Sequence, residues 1–261
     1  MNEIKCVKSY LHHKFTIKDL GKLKYILGIE VARSETGLVL NQRKYILDIL
    51  SDFGYLTSKP FSTPMDSKLK HSKNDGTLLT IPKTYKTLID RLLYLTVTTP
   101  YIAYFVLTLS QFLSCLTNIH MTAAHRVLRY LKISPGKGLF YPSKSTFHIL
   151  AYTDSDWGPC IDTRRSISCY SFYLGESLIS WKSKKQSIVS RSSTVAEYRA
   201  ASNAVCETQL RTYIFQDLQI LISLPITLYT DNKSRINGMN TISGVLIDLY
   251  MTALKTRQKG D

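Results

Sequence analysis

At 261 residues, with 44% apolar and 20% charged positions, the chain is long enough for one large or two modest cores and has an ordinary globular composition. Its 34 Lys and Arg against 19 Asp and Glu give a formal net charge of +15, an excess that points to a polyanionic partner, most simply nucleic acid. Three features speak against other classes. No run approaches the roughly 18 uninterrupted apolar residues of a membrane span. The opening M-N-E-I-K-C-V-K-S-Y lacks the apolar core of a secretory signal. Cys6, Cys115, Cys160, Cys169 and Cys206 are scattered and form no C-x-x-C pair, so neither a zinc site nor a disulfide framework is indicated. The expected home is a reducing intracellular compartment, cytoplasm or nucleus.

Taken in order, Tyr25–Ala32 reads as a strand, Ser34-Glu35-Thr36-Gly37 as a turn and Leu38-Val39-Leu40 as the returning strand of a hairpin. Tyr45, Ile46, Ile49, Leu50 and Phe53 are at helical spacing over Gln42–Phe53, with Gly54 as the stop. The two prolines of K-P-F-S-T-P-M-D (59–66) exclude regular structure, and the polar stretch 67–80 reads as a connection. Helices are predicted over Tyr85–Val97, Tyr101–Leu116 and Ile119–Lys132, the last with Arg126, Arg129 and Lys132 outward, before Ser134-Pro135-Gly136 ends the run.

Beyond residue 140 the pattern turns to strands: His148–Trp157, Ser166–Leu174 and Ser177–Lys182, the last two joined by a tight turn at Gly175-Glu176. Ser192 or Ser193 can cap a long helix from Thr194 to about Leu218. Pro225 precedes a further strand, Ile226–Asp231, and Asn232–Asn240 can open another helix. The predicted class is α/β with a mixed sheet, preceded by a more α+β region.

The acids carry the chemistry. Asp154 and Asp156 are two apart on a strand, so both leave one face, and an oxygen-seeking Mg²⁺ ion would relieve their repulsion. Two strands end alike, Tyr152-Thr153-Asp154 and Tyr229-Thr230-Asp231. Glu197 lies one turn into the long helix, and Asp248 sits in an otherwise apolar run. Acids gathered at one end of a sheet suit two-metal phosphodiester hydrolysis. Each one alone is more readily a cap or a solvated residue.

These stretches together resemble the C-terminal part of the Pol polyprotein of copia-type LTR retrotransposons. The motifs that carry the resemblance are F-T-I-K-D-L-G-K-L-K-Y-I-L-G-I-E-V (15–31), L-N-Q-R-K-Y-I-L-D-I-L (40–50), K-P-F-S-T-P-M-D, H-R-V-L-R-Y-L-K (125–132), Y-T-D-S-D-W (152–157), L-I-S-W-K-S-K-K-Q (178–186), A-E-Y-R-A (196–200) and D-N-K-S (231–234). The resemblance implies that residues 1–142 are the thumb and connection following a reverse-transcriptase palm. The family's Y-V-D-D polymerase signature is absent, so DNA synthesis is not expected from this chain. Residues 143–261 are implied to be a ribonuclease H-like domain, a mixed sheet with flanking helices, with a diverged C-terminal end.

That domain would hydrolyse the RNA strand of RNA–DNA hybrids. Its acids by motif are Asp154, Glu197 and Asp231, with Asp248 a weaker fourth match, and they would hold two Mg²⁺ (or Mn²⁺) ions. The H-x-R-T-K-H segment that precedes the fourth acid in the family has no counterpart in Asn240–Val245. Arg164, Arg165, Lys182, Lys184, Lys185 and Arg191 are candidate phosphate contacts, or equally solvated charges. The partners implied are an RNA–DNA hybrid or other nucleic acid and the rest of a Pol polyprotein, with no membrane. The alternative to an enzyme is a nucleic-acid-binding remnant that does not cut.

Overall fold

The structure, a computed structural model, describes residues 2–19, 21–66 and 71–230. It contains mixed α/β structure built on two four-stranded sheets. Helix α1 (Asn2–Phe15) comes first and is not among the predicted elements, although Ile4, Val7, Tyr10 and Leu11 carry its spacing. The strand predicted over Tyr25–Ala32 is two strands, β1 (Tyr25–Ile26) and β2 (Ile29–Arg33). Leu27 (φ 46°) and Gly28 (φ 74°) form the turn between them. Positive φ at both central residues is the two-residue turn that matches strand twist. Leu27 is an unfavourable residue there, and the Tyr94 hydroxyl donates to its carbonyl.

The hairpin from β2 to β3 (Gly37–Asn41) forms as predicted, with Val31 opposite Leu40 and Ala32 opposite Val39. Strand β4 (Leu139–Pro142), about a hundred residues on, adds antiparallel to β3 and completes the order β1-β2-β3-β4. Helix α2 (Arg43–Asp52) ends where Gly54 predicted. The Gly54 N–H donates to Ser51 O (3.0 Å) and the Tyr55 N–H to Leu50 O (2.7 Å), the paired bonds of a left-handed helix stop.

Helices α3 (Pro82–Leu95), α4 (Ala103–Ser110) and α5 (Asn118–Leu131) bury Tyr85, Leu88, Leu92, Val106 and Leu128 against Ile46 and Leu50 of α2. The helix predicted over Tyr101–Leu116 is shorter, a 3-10 turn over Pro100–Ile102 followed by α4. The Thr108 and Ser110 hydroxyls donate back to Tyr104 O (2.9 Å) and Leu107 O (2.7 Å), which competes with continuation. Phe112 leaves the helix to stack on buried His120, ring centroids 4.0 Å apart.

Arg126, Arg129 and Lys132 do not simply point to solvent. Arg126 and Arg129 strap the proline-rich stretch 59–66 onto α5, and Lys132 bonds Ser58 O just before it. Arg129 lies 3.9 Å over the Phe61 ring and its Nε donates to Lys59 O at 2.6 Å, while Arg126 donates to Thr63 O and Oγ1. Arg129→Ala should therefore lower stability by about 2 kcal/mol in a denaturant titration, the sum expected of one charged hydrogen bond and one cation–π contact. Arg129→Lys should recover only part of it, because an ammonium lacks the flat stacking face.

The second sheet is ordered β7-β6-β5-β8, from β5 (His148–Asp156), β6 (Ile167–Leu174), β7 (Ser177–Lys185) and β8 (Ser223–Tyr229). Strands β5, β6 and β7 pair antiparallel, and β8 pairs parallel to β5. Gly175 (φ 57°) makes the predicted two-residue turn between β6 and β7. Helix α6 (Ser193–Asp217) crosses between β7 and β8, and Ser192 caps it by accepting from the Val195 N–H (3.2 Å). Its small buried residues Ala196, Ala200, Ala201 and Ala204 let it lie close to the sheet. Strand β8 starts earlier than predicted and includes Pro225. It is the edge strand of the described sheet, and the register to β5 shifts there, which accommodates a residue without N–H.

The two halves touch through named bonds. Trp181 Nε1 donates to Thr96 O (3.0 Å), Lys185 Nζ to Gln111 Oε1 (2.7 Å), and Ser72 Oγ to Asp162 Oδ1 (2.7 Å).

Candidate nucleic-acid site

Strict alternation along β5 decides where its acids point. Ile149, Ala151, Thr153 and Ser155 are buried, whereas Tyr152, Asp154 and Asp156 are exposed on the other face. Helix α6 covers the buried face: Gln186 Nε2 reaches both Ser155 Oγ and Ala196 O. Glu197, 6% exposed, is buried on α6. The structure thus brings Asp154 and Asp156 to one face. Asp231 and Asp248 lie outside the described residues, as does the predicted helix 232–240. Among the described residues no group of three or more His, Cys, Asp or Glu comes together as a metal cage.

Asp154 is an exposed carboxylate whose Oδ1 accepts from the Ser155 N–H at 2.7 Å. A Mg²⁺ ion is commonly held by only one or two carboxylates together with substrate phosphates, so Asp154 fits as one ligand of such an ion. Asp156 is engaged otherwise. The Tyr104 hydroxyl of α4 donates to its Oδ2 at 2.7 Å, and burial together with that acceptor pushes the Tyr104 phenol well above its ordinary value. Next to it, Trp157 Nε1 is fixed on Ser190 O (3.0 Å).

Asp154 opens into a cleft of about 730 Å³ between the exposed sheet face and the 3-10 turn at Pro100 and Tyr101. Its walls include the rings of Tyr101, Tyr152, Tyr170, Tyr173, Trp181 and Tyr229. Burial and the neighbouring Tyr130 push Tyr101 up to about 12, so it is a neutral phenol at any working pH. Sequence reasoning does not single out these rings, although the repeated Tyr-Thr-Asp strand ends place two of them.

The basic residues separate into two kinds. Arg164, Arg165, Lys182, Lys184 and Arg191 are exposed. Lys185 is half-buried and donates to Gln111 Oε1 and to Cys160 Sγ at 3.0 Å, so its charge serves an internal contact. Burial alone would raise the Cys160 thiol, but hydrogen bonds from Thr163 and Lys185 outweigh it and hold the thiol below its ordinary value. Arg199, in A-E-Y-R-A, is missed by the sequence reading. Its guanidinium donates to Ser190 Oγ (2.9 Å) and ties the loop before α6 to the helix.

Beneath the proline-rich strap, buried His71 and His120 face each other with ring centroids 5.8 Å apart. Burial lowers the pKa of both, and for His120 the charge of His71 lowers it further. The folded form therefore takes up protons at lower pH than the unfolded chain, whose histidines titrate near ~6.5. Their contribution to stability is complete above that value and is lost as the pH falls below it. Melting temperatures should drop between neutral and mildly acidic buffer, and His120→Asn should flatten that dependence.

Comparison with known proteins places the chain in a family. Residues 1–67 match the family described as reverse transcriptase (RNA-dependent DNA polymerase). The Retrovirus-related Pol polyprotein from transposon RE1 of Arabidopsis thaliana is 43% identical over 85% of this chain and 15% of its own length. That from transposon TNT 1-94 of Nicotiana tabacum is 34% identical over 88% of this chain and 18% of its own. An uncharacterized mitochondrial protein of Arabidopsis thaliana is 39% identical over 76% of this chain and 82% of its own length. The chain belongs to the Pol polyproteins of copia-type retrotransposons. It spans about one sixth of the length of the transposon polyproteins it matches. Within this Pol segment the reverse-transcriptase match covers α1, β1 to β3, α2 and the strap up to its end. No solved structure matches the chain.

Proposed function

We propose that the part of the Pol segment from about residue 143 is a ribonuclease H-like domain that hydrolyses the RNA strand of RNA–DNA hybrids, with residues 1–142 as a thumb and connection presenting basic surface to the duplex. The observation that carries this reading is Asp154 at the end of the central strand β5, open to a cleft, in a sheet ordered β7-β6-β5-β8 whose parallel β5–β8 pair is joined through α6. Ligands of such sheets gather at strand ends. Asp154 would hold the Mg²⁺ or Mn²⁺ ion, with Asp231, Glu197 and Asp248 as its proposed companions, and the ion would supply charge stabilisation to the phosphodiester. Arg164, Arg165, Lys182, Lys184 and Arg191 would contact phosphates, and binding would weaken steeply with salt. Lys185 is better read as a support for that surface.

A second reading is a nucleic-acid-binding module that does not cut. It is favoured by the Tyr104 hydroxyl donating to Asp156, which commits that acid to a contact within the protein. Incubation of a hybrid carrying labelled RNA, with Mg²⁺ or with EDTA, separates the two. Fragments that need the metal support hydrolysis, whereas stable binding with intact RNA supports the second reading.

A further inference from the structure

We propose that the aromatic cleft beside Asp154 takes an unpaired nucleobase of a single-stranded nucleic acid. Tyr152 and Tyr229 lie on adjacent parallel strands and stack at 5.1 Å between centroids, 20° from coplanar. Yet they remain 41% and 47% exposed, so the stacked pair keeps ring surface open to solvent on which a further ring can continue the stack. Tyr173 stands edge-on to Tyr152 (5.7 Å, 86°) and holds its plane, while Trp181 is locked by its bond to Thr96 O. The surface is rigid before anything binds.

Charge selects what enters. Without a bound cation the Asp154 carboxylate in the lining repels a phosphate, while exposed Lys182 in the same lining and the net charge of +15 attract one. A strand that satisfies both puts its base on the tyrosines and its phosphates at Lys182. Bases in a duplex already stack on one another and offer no free face, so the occupant is an unpaired strand. Stacking on aromatic side chains is tolerant of sequence, because every base has a π face. This site goes beyond hybrid hydrolysis and does not depend on it: a strand can be held here whether or not it is cut.

The test is fluorescence anisotropy of a short labelled oligothymidylate and of an abasic oligomer with the same number of phosphates, at one fixed salt concentration. The intact protein should bind the oligothymidylate about tenfold more tightly than the abasic strand. Tyr152→Ala should lose that preference and Tyr152→Phe, which keeps the ring, should retain it. Equal affinity for the two oligomers in the unaltered protein would overturn the proposal without reliance on any variant. So would a preference that survives Tyr152→Ala.

Discussion

Asp154→Asn is expected to cut metal-dependent hybrid cleavage by about a hundredfold or more and to leave the melting temperature where it was. An ion ligand contributes several kcal/mol to charge stabilisation, and each ~1.4 kcal/mol is a factor of ten in rate. The amide keeps the size of the carboxylate and an oxygen that still accepts from the Ser155 N–H. The side chain is exposed, so the fold has little to lose. Rates from a gel assay and a thermal melt check the two halves of this expectation. A variant that melts early would mean the acid is structural.

Phe172→Ala should cost about 3–5 kcal/mol, the range for emptying a fully buried aromatic position. Phe172 is fully buried, opposite Ala151 of β5, edge-on to Tyr170 (5.4 Å), with the Arg211 guanidinium 5.9 Å from its ring. Among the described residues the cluster around it comprises buried Ile149, Ala151, Phe215 and Ile226, with Leu174, Ile179, Ile220, Ile222 and Leu228 half-buried against it. Among the described residues the helical core around Leu88 and Leu92 is larger. A loss of this size is comparable to the net stability of many domains. Urea titration followed by circular dichroism measures it, and a loss below about 1.5 kcal/mol would mean that α6 collapses into the space.

What was legible in the sequence was local. The β2–β3 hairpin, the Gly54 stop, the Gly175-Glu176 turn and the Ser192 cap each follow from one or two residues with a fixed backbone preference. The misreadings arise where distant residues decide. Leu27 conceals a turn inside an apolar run, and it is Tyr94 of α3 that bonds its carbonyl. Helix α4 stops at Ser110 because Phe112 is drawn to His120 on α5. Pro225 marks a strand start in most contexts, but at a sheet edge it fits inside one. The pairing of β3 with β4 was also invisible, since Leu40 and Leu139 are far apart in the chain.

At the site, period-2 alternation correctly put Asp154 and Asp156 on one face. It could not say which face α6 would cover. The contacts of Asp156 with Tyr104, and of Lys185 with Gln111 and Cys160, depend on the helical half lying against the second sheet. No spacing rule within either half contains them.

The central claim is that this Pol segment acts on RNA held against DNA. One gel tests it: the same end-labelled RNA, alone or annealed to complementary DNA, incubated with the protein and Mg²⁺. The account predicts RNA fragments from the hybrid and none from the free RNA. A hybrid left intact, or free RNA cut equally well, would contradict it.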